Sequence, residues 1–137
     1  MFTLSARGVY GLSAVFELAR NFSKGSIQIR DIAAAHEIPQ HYLEQLLVVL
    51  KKAGIVDSQR GSQGGYALAR PPERISVLEV LTCLDGKLEL VPEGKRKGAL
   101  SFFWISSERK VREVLDKSLE ELLNEHQTAE EHFVYHI

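Results

Sequence analysis

The sequence predicts a mainly α fold with one small β-hairpin, laid out as a helical head followed by a long C-terminal helix. Three observations predict it. Apolar residues recur at three- and four-residue spacing through most of the first 53 residues. The period then changes briefly, where IVDSQ and YALA flank a glycine-rich segment. A helical stripe returns near residue 76 and again, over a much longer reach, after residue 99. The 137 residues suffice for one domain with an appendage.

Each element follows in order. Ser5 can cap a helix running to about Phe22, in which Val9, Leu12, Phe16 and Ala19 share a face. SKGSIQI, residues 23–29, is a polar connection. The alanine-rich RDIAAAHE is a second, short helix. Ile38-Pro39 interrupts it, because proline lacks a donor and restricts the residue before it. A third helix runs from about Gln40 to Ala53 and stops at Gly54. The hairpin of IVDSQ and YALA comes next, and Pro71-Pro72 ends its second strand. Ser76 and Glu79 form a capping-box pattern that opens a helix through Leu84. Residues 85–98, DGKLELVPEGKRKG, read as a polar loop with room for a brief strand at LELV. Residues 99–125 carry the longest helical signal, with Trp104, Val111, Leu115, Leu119 and Leu122 along one stripe. The tail HQTAEEHFVYHI predicts no firm element.

The third helix divides into two faces. At about 100° per residue, Leu43, Leu46, Leu47 and Leu50 gather on one side, while His41, Glu44, Gln45, Val48 and Lys52 gather opposite. Two short helices joined by a tight turn, the second amphipathic, make a helix-turn-helix, and a hairpin directly after it makes a winged one. The second helix of such a unit lies in the DNA major groove, where Gln and Glu pair with base edges. SQRGSQGGYAL has the glycines of a nucleotide-binding loop, yet a strand follows it where a phosphate-cradling loop needs a helix. It reads as a wing: Gly61, Gly64 and Gly65 permit positive φ, and Arg60 can reach a phosphate or a narrow minor groove.

Charge and cysteine content bound the rest. The net charge of −1 hides an asymmetry. Residues 1–75 hold nine Lys/Arg against six Asp/Glu, and residues 76–137 hold eight against twelve. A basic front half suits an anionic partner. No apolar run approaches the ~20 residues a membrane helix needs, and no basic-then-apolar leader is present, so a cytoplasmic location away from membranes is expected. The one cysteine, Cys83, excludes an internal disulfide and fits a reducing compartment. No Ser, His and acid stand in a recognisable catalytic motif, so no enzyme is expected. His132 and His136, with His126 before them, have the four-residue spacing of a metal pair, but the tail lacks supporting ligands and no metal site is assigned.

Three stretches together carry a resemblance: FTLSARGVYGLSAVFELA, IRDIAAAHEIPQHYLEQLLVVLKKAGIV and RGSQGGYALARPPERISVLEVL. With YLEQLL, an RG-x-x-GGY wing and an S-V-x-E-V helix in order over residues 1–84, the chain resembles the Rrf2 family of bacterial winged helix-turn-helix repressors. The resemblance implies a homodimer on double-stranded palindromic DNA, joined through the long helix that, with its tail, makes up residues 99–137. It places Gln40, His41, Tyr42, Glu44, Gln45 and Lys52 on the recognition helix, with Arg60, Gly61, Ser62, Gln63 and Gly64 in the wing. Ser5, Arg7 and Tyr10 fall near the DNA backbone. His41 stands where members often carry a small hydroxyl residue, and Ser62-Gln63 replaces the commoner proline-glycine wing.

Many members hold an iron–sulfur cluster through three cysteines in the loop before the long helix. Here that loop, residues 85–98, contains neither cysteine nor histidine, so no cofactor is expected and a protein or small-molecule effector becomes the candidate signal. Two alternatives stay open: a winged module that docks protein instead of DNA, and a cluster or thiol sensor using Cys83.

Overall fold

The computed structural model describes residues 3–62 and 64–136, with side chains described through residue 132. Six helices and one two-stranded sheet follow in the order α1 (Ala6–Arg20), α2 (Ile29–His36), α3 (Gln40–Lys52), β1 (Val56–Gln59), β2 (Gly65–Leu68), α4 (Val77–Asp85), α5 (Ser101–Leu115) and α6 (Leu119–His136). Among the described residues no helix is long and apolar enough to cross a membrane.

One core unites the head. Val15, Leu18, Ile32, Leu43, Leu46, Leu47, Leu50, Ile55, Val56, Ile75 and Val80 are all at most 2% exposed, drawn from α1 to α4 and the hairpin. Burying such side chains contributes roughly 1.5–3 kcal/mol each, which is why the leucine stripe of α3 decides its orientation. Helix α1 comes unusually close to α4. A Cβ on Gly8 would overlap the Asp85 carboxylate and one on Gly11 would overlap Leu84, so a side chain at either position would force Asp85 or Leu84 to shift. The Ser5 hydroxyl accepts from the Gly8 amide as predicted, and Ser76 likewise accepts from the Glu79 amide at 2.9 Å.

The hairpin is antiparallel, with Val56 opposite Leu68 and Gln59 opposite Gly65. The stretch read as a plain polar connection has more structure. It forms a 3-10 turn at Phe22–Lys24, and Ile27 then exchanges two 2.8 Å backbone hydrogen bonds with Tyr66. LELV forms no strand.

The long helix of residues 99–125 is corrected. It is two helices, broken at residues 116–118. There the Lys117 carbonyl accepts from the Val77 amide at 2.8 Å, and the Leu119 amide donates to Ile75 at 2.9 Å. Ser118 caps the new helix, its hydroxyl accepting from the Glu121 amide at 3.0 Å. Leu119 is fully buried, and Leu115, Leu122 and Leu123 pack against the same core, so this part of the predicted stripe covers its own head. Helix α6 also takes in most of the tail left unassigned, with His126 edge-on to Phe16 of α1 at 5.1 Å.

Candidate nucleic-acid interface

Helix α3 presents the two faces the sequence predicts. Leu43, Leu46, Leu47 and Leu50 are at most 1% exposed, while Gln40, His41, Glu44, Gln45, Val48 and Lys52 lie on the surface. Tyr42 differs from that row. It is half-buried, and its ring stands edge-on to Tyr10 of α1, with centroids 5.9 Å apart and planes at 76°. That pair fixes the start of α3 against α1. Tyr10 is the one residue of the predicted α1 trio whose ring packs on α3. Ser5 and Arg7 instead meet the end of α4: the Ser5 hydroxyl donates to Asp85, and Arg7 Nε donates to the Leu84 carbonyl at 3.1 Å.

The wing is held from three sides. Lys51 Nζ donates to Ser58 Oγ at 2.6 Å, joining the end of α3 to β1. Ser26 Oγ donates to Gln59 Oε1 at 3.0 Å. At the base, Arg70 donates to the Arg74 carbonyl at 2.9 Å and pairs with Glu79 at 2.7 Å. Arg60, Gly61 and Ser62 are exposed at the tip, and Gln63 lies outside the described residues. Of the three wing glycines, Gly61 (φ 99°) and Gly65 (φ 147°) occupy backbone regions that L side chains avoid. Gly64 is needed for another reason. It is buried, donates to the Gly61 carbonyl at 2.9 Å, and a Cβ there would stand 2.8 Å from that oxygen.

The loop before α5 is organised by charge. Glu108, only 6% exposed, accepts from Arg96 at 3.0 Å, from Arg112 at 3.4 Å and from the Leu90 amide at 3.3 Å. Arg96 Nε also donates to the Val91 carbonyl at 3.0 Å and Arg112 to the Leu88 carbonyl at 3.3 Å. Sequence reading missed this cluster, since its members are scattered and only the path of the loop unites them. These residues do not fit the iron–sulfur cluster of the cysteine-bearing relatives: the loop offers no thiolate, and its buried carboxylate is already held by two guanidinium groups. Cys83 lies on α4, half-buried against the core. Burial pushes its thiol above the ordinary range, the Glu79 carboxylate adds to that, and Arg7 opposes it. Among the described residues no group of three His, Cys, Asp or Glu could hold a metal ion. His126 lies 3.4 Å from Glu130, and the His136 side chain is outside the described set.

Comparison with known proteins agrees with this architecture. The Rrf2 family model, described as an iron-dependent transcriptional regulator, matches residues 4–128. The HTH-type transcriptional regulator CymR of Bacillus subtilis is 34% identical over 136 residues, covering 98% of this chain and 99% of that protein. The solved structure of CymR, the global cysteine regulator of B. subtilis, superposes with a TM-score of 0.81 at 34% identity, over 89% of this chain and 96% of that one. T. potens IscR gives a TM-score of 0.80 at 36% identity, over 93% and 90%. From the α3 stripe and the glycine-built wing to the match across nearly the whole chain, these findings place the protein in the Rrf2 family of transcriptional regulators.

Proposed function

We propose that this chain is a homodimeric DNA-binding repressor that recognises a palindromic operator. The observation that carries the reading is the exposed row on α3, backed by four buried leucines and tied through Lys51 to a wing with Arg60 at its tip. Gln45 and Glu44 have the donors and acceptors to read base edges in the major groove, with His41 and Gln40 beside them. Arg60 reaches the adjacent minor groove, where a guanidinium is favoured by the negative potential, while the exposed Gly61 and Ser62 let backbone approach backbone and Gly64 lets the wing close on itself. Lys52 neutralises a phosphate. Tyr42 and Tyr10 position α3, and Ser5 and Arg7 act chiefly by fixing α1 to α4.

The second subunit docks on α5. Phe102 (70% exposed), Val114 (65%), Leu100, Phe103 and Ile105 present an apolar surface that the chain itself leaves in water. A monomer has no physical use for such a patch, and a second copy covers it. The signal that controls the dimer is a protein or small-molecule effector in a reducing cytoplasm.

Titrating the protein against fragments of its own genome at two salt concentrations in a mobility-shift assay tests the reading. Saturable binding to a subset of fragments, with affinity falling steeply as salt rises, is expected. Absence of any shift at low salt, with the fold intact, overturns it in favour of a winged module that docks protein, a role that the net charge of −1 suits.

A further inference from the structure

Val48 sits in the middle of the exposed row of α3 and is 49% exposed. At about 100° per residue it projects between Glu44 and Gln45 and in line with Lys52. It is the sole large hydrophobic residue of α3 that is exposed, every leucine of that helix being buried. Packing on the core does not account for it. A β-branched residue is a weaker helix former than the alanine, lysine or glutamate that would suit a wet position, and its isopropyl group gains nothing from water.

We propose that Val48 is a specificity-determining residue that reads the C5-methyl group of a thymine in the major groove. The inference rests on the DNA-binding reading above and names a contact within it. Thymine is the one standard base that offers an apolar group there, beside its O4 acceptor. Gln45, three residues earlier, lies ~4.5 Å along the helix axis, comparable with the ~3.4 Å rise of a base step. The two side chains therefore address neighbouring base pairs. Gln45 suits the N6 and N7 edge of an adenine, and Val48 suits the methyl of a thymine beside it. Each operator half-site accordingly carries an A·T-containing step at this point, read by one hydrogen-bonding and one apolar side chain.

Selection of bound duplexes from a random-sequence library by the full-length protein supplies a binding site, and single thymines in it are then replaced by deoxyuridine. That change deletes the methyl and preserves every hydrogen-bonding group. At one thymine per half-site the wild-type protein is expected to bind about fourfold more weakly, the equivalent of losing one buried CH₂ group, roughly 0.8 kcal/mol. Val48→Ala, which raises helix propensity at an exposed position, is expected to bind the thymine and deoxyuridine duplexes equally while melting like the wild type. Wild-type protein indifferent to deoxyuridine everywhere, or a Val48→Ala variant that still senses the methyl, overturns the assignment while leaving DNA binding intact. Failure of the library to yield any preferred duplex overturns the underlying reading as well.

Discussion

Gly65 lies directly against Ile27, so close that a Cβ on the glycine would stand 2.6 Å from the Ile27 carbonyl carbon and 3.0 Å from the amide nitrogen of Gln28. The contact is backbone to backbone, so no side chain can move aside. It accompanies the two hydrogen bonds between Ile27 and Tyr66 that fasten the hairpin to the segment before α2. Gly65→Ala must both clash and adopt a φ of 147°, and is expected to cost about 2–4 kcal/mol. Thermal unfolding followed by circular dichroism measures it. A melting temperature unchanged from wild type would show that the hairpin does not sit against Ile27.

Arg60→Ala removes the one cation at the wing tip and leaves the helical core untouched. With two wings per dimer, the slope of log affinity against log salt should fall by about two, one per lost contact. Sedimentation should find the dimer unchanged. Gln45→Ala should act differently, relaxing the preference for one base pair by roughly 1–3 kcal/mol with little effect on the salt slope. Equal slopes for Arg60→Ala and wild type would place the wing away from DNA.

Phe102→Asp puts a charge at the most exposed large hydrophobic residue of α5, so the single chain should keep its stability. In a two-fold interface each substitution occurs twice. At ~1.5–3 kcal/mol for each buried Phe, the dimer dissociation constant should rise at least a hundredfold. Analytical ultracentrifugation would detect monomers at micromolar concentration. An unaffected dimer would mean that another face joins the subunits.

Glu108→Ala leaves Arg96 and Arg112 facing each other without the carboxylate between them, and strips the Leu90 amide of its acceptor. Removing the buried carboxylate from two partly exposed arginines and an amide costs about 2 kcal/mol. Urea unfolding should show that loss, and residues 86–100 should become the first site of proteolytic cleavage. Protection equal to wild type would indicate that the loop is held by something other than this cluster.

The parts of the molecule governed by periodicity were legible in the sequence. The leucines of α3 are buried because a 3.6-residue repeat leaves them no other side, and the wing showed itself through the shift from helical to strand period around three glycines. The break at residues 116–118 was not legible from spacing, because Leu115, Leu119 and Leu122 keep helical intervals whether one helix or two carry them. Its signal was Ser118 followed by Glu121, the same capping pattern that correctly opened α4 at Ser76. Contacts set by tertiary path left no trace: Arg7 on the end of α4, Lys51 on Ser58, and two arginines around Glu108. In the site itself the residue types on α3 and the wing were readable, whereas the division between groups that face outward and groups such as Tyr42 that brace the helix depends on packing.

Cys83 decides whether thiol chemistry belongs to this protein. The thiolate is the reactive form, and sensor cysteines are tuned to expose it at neutral pH. Here burial and the nearby Glu79 carboxylate both favour the neutral thiol, and Arg7 offsets them only in part. A raised pKa means less thiolate at any pH below it, so alkylation by iodoacetamide at pH 7.5 should be slower than for a free cysteine. Its rate should keep climbing beyond the ordinary thiol range of about 8.5. Removing a negative charge stabilises the thiolate, so Glu79→Gln should speed the reaction; removing a positive one should slow it, as in Arg7→Ala. A wild-type rate at or above that of free cysteine would reverse the conclusion and make Cys83 a sensor. The slow rate expected here instead marks it as a small packing residue of α4.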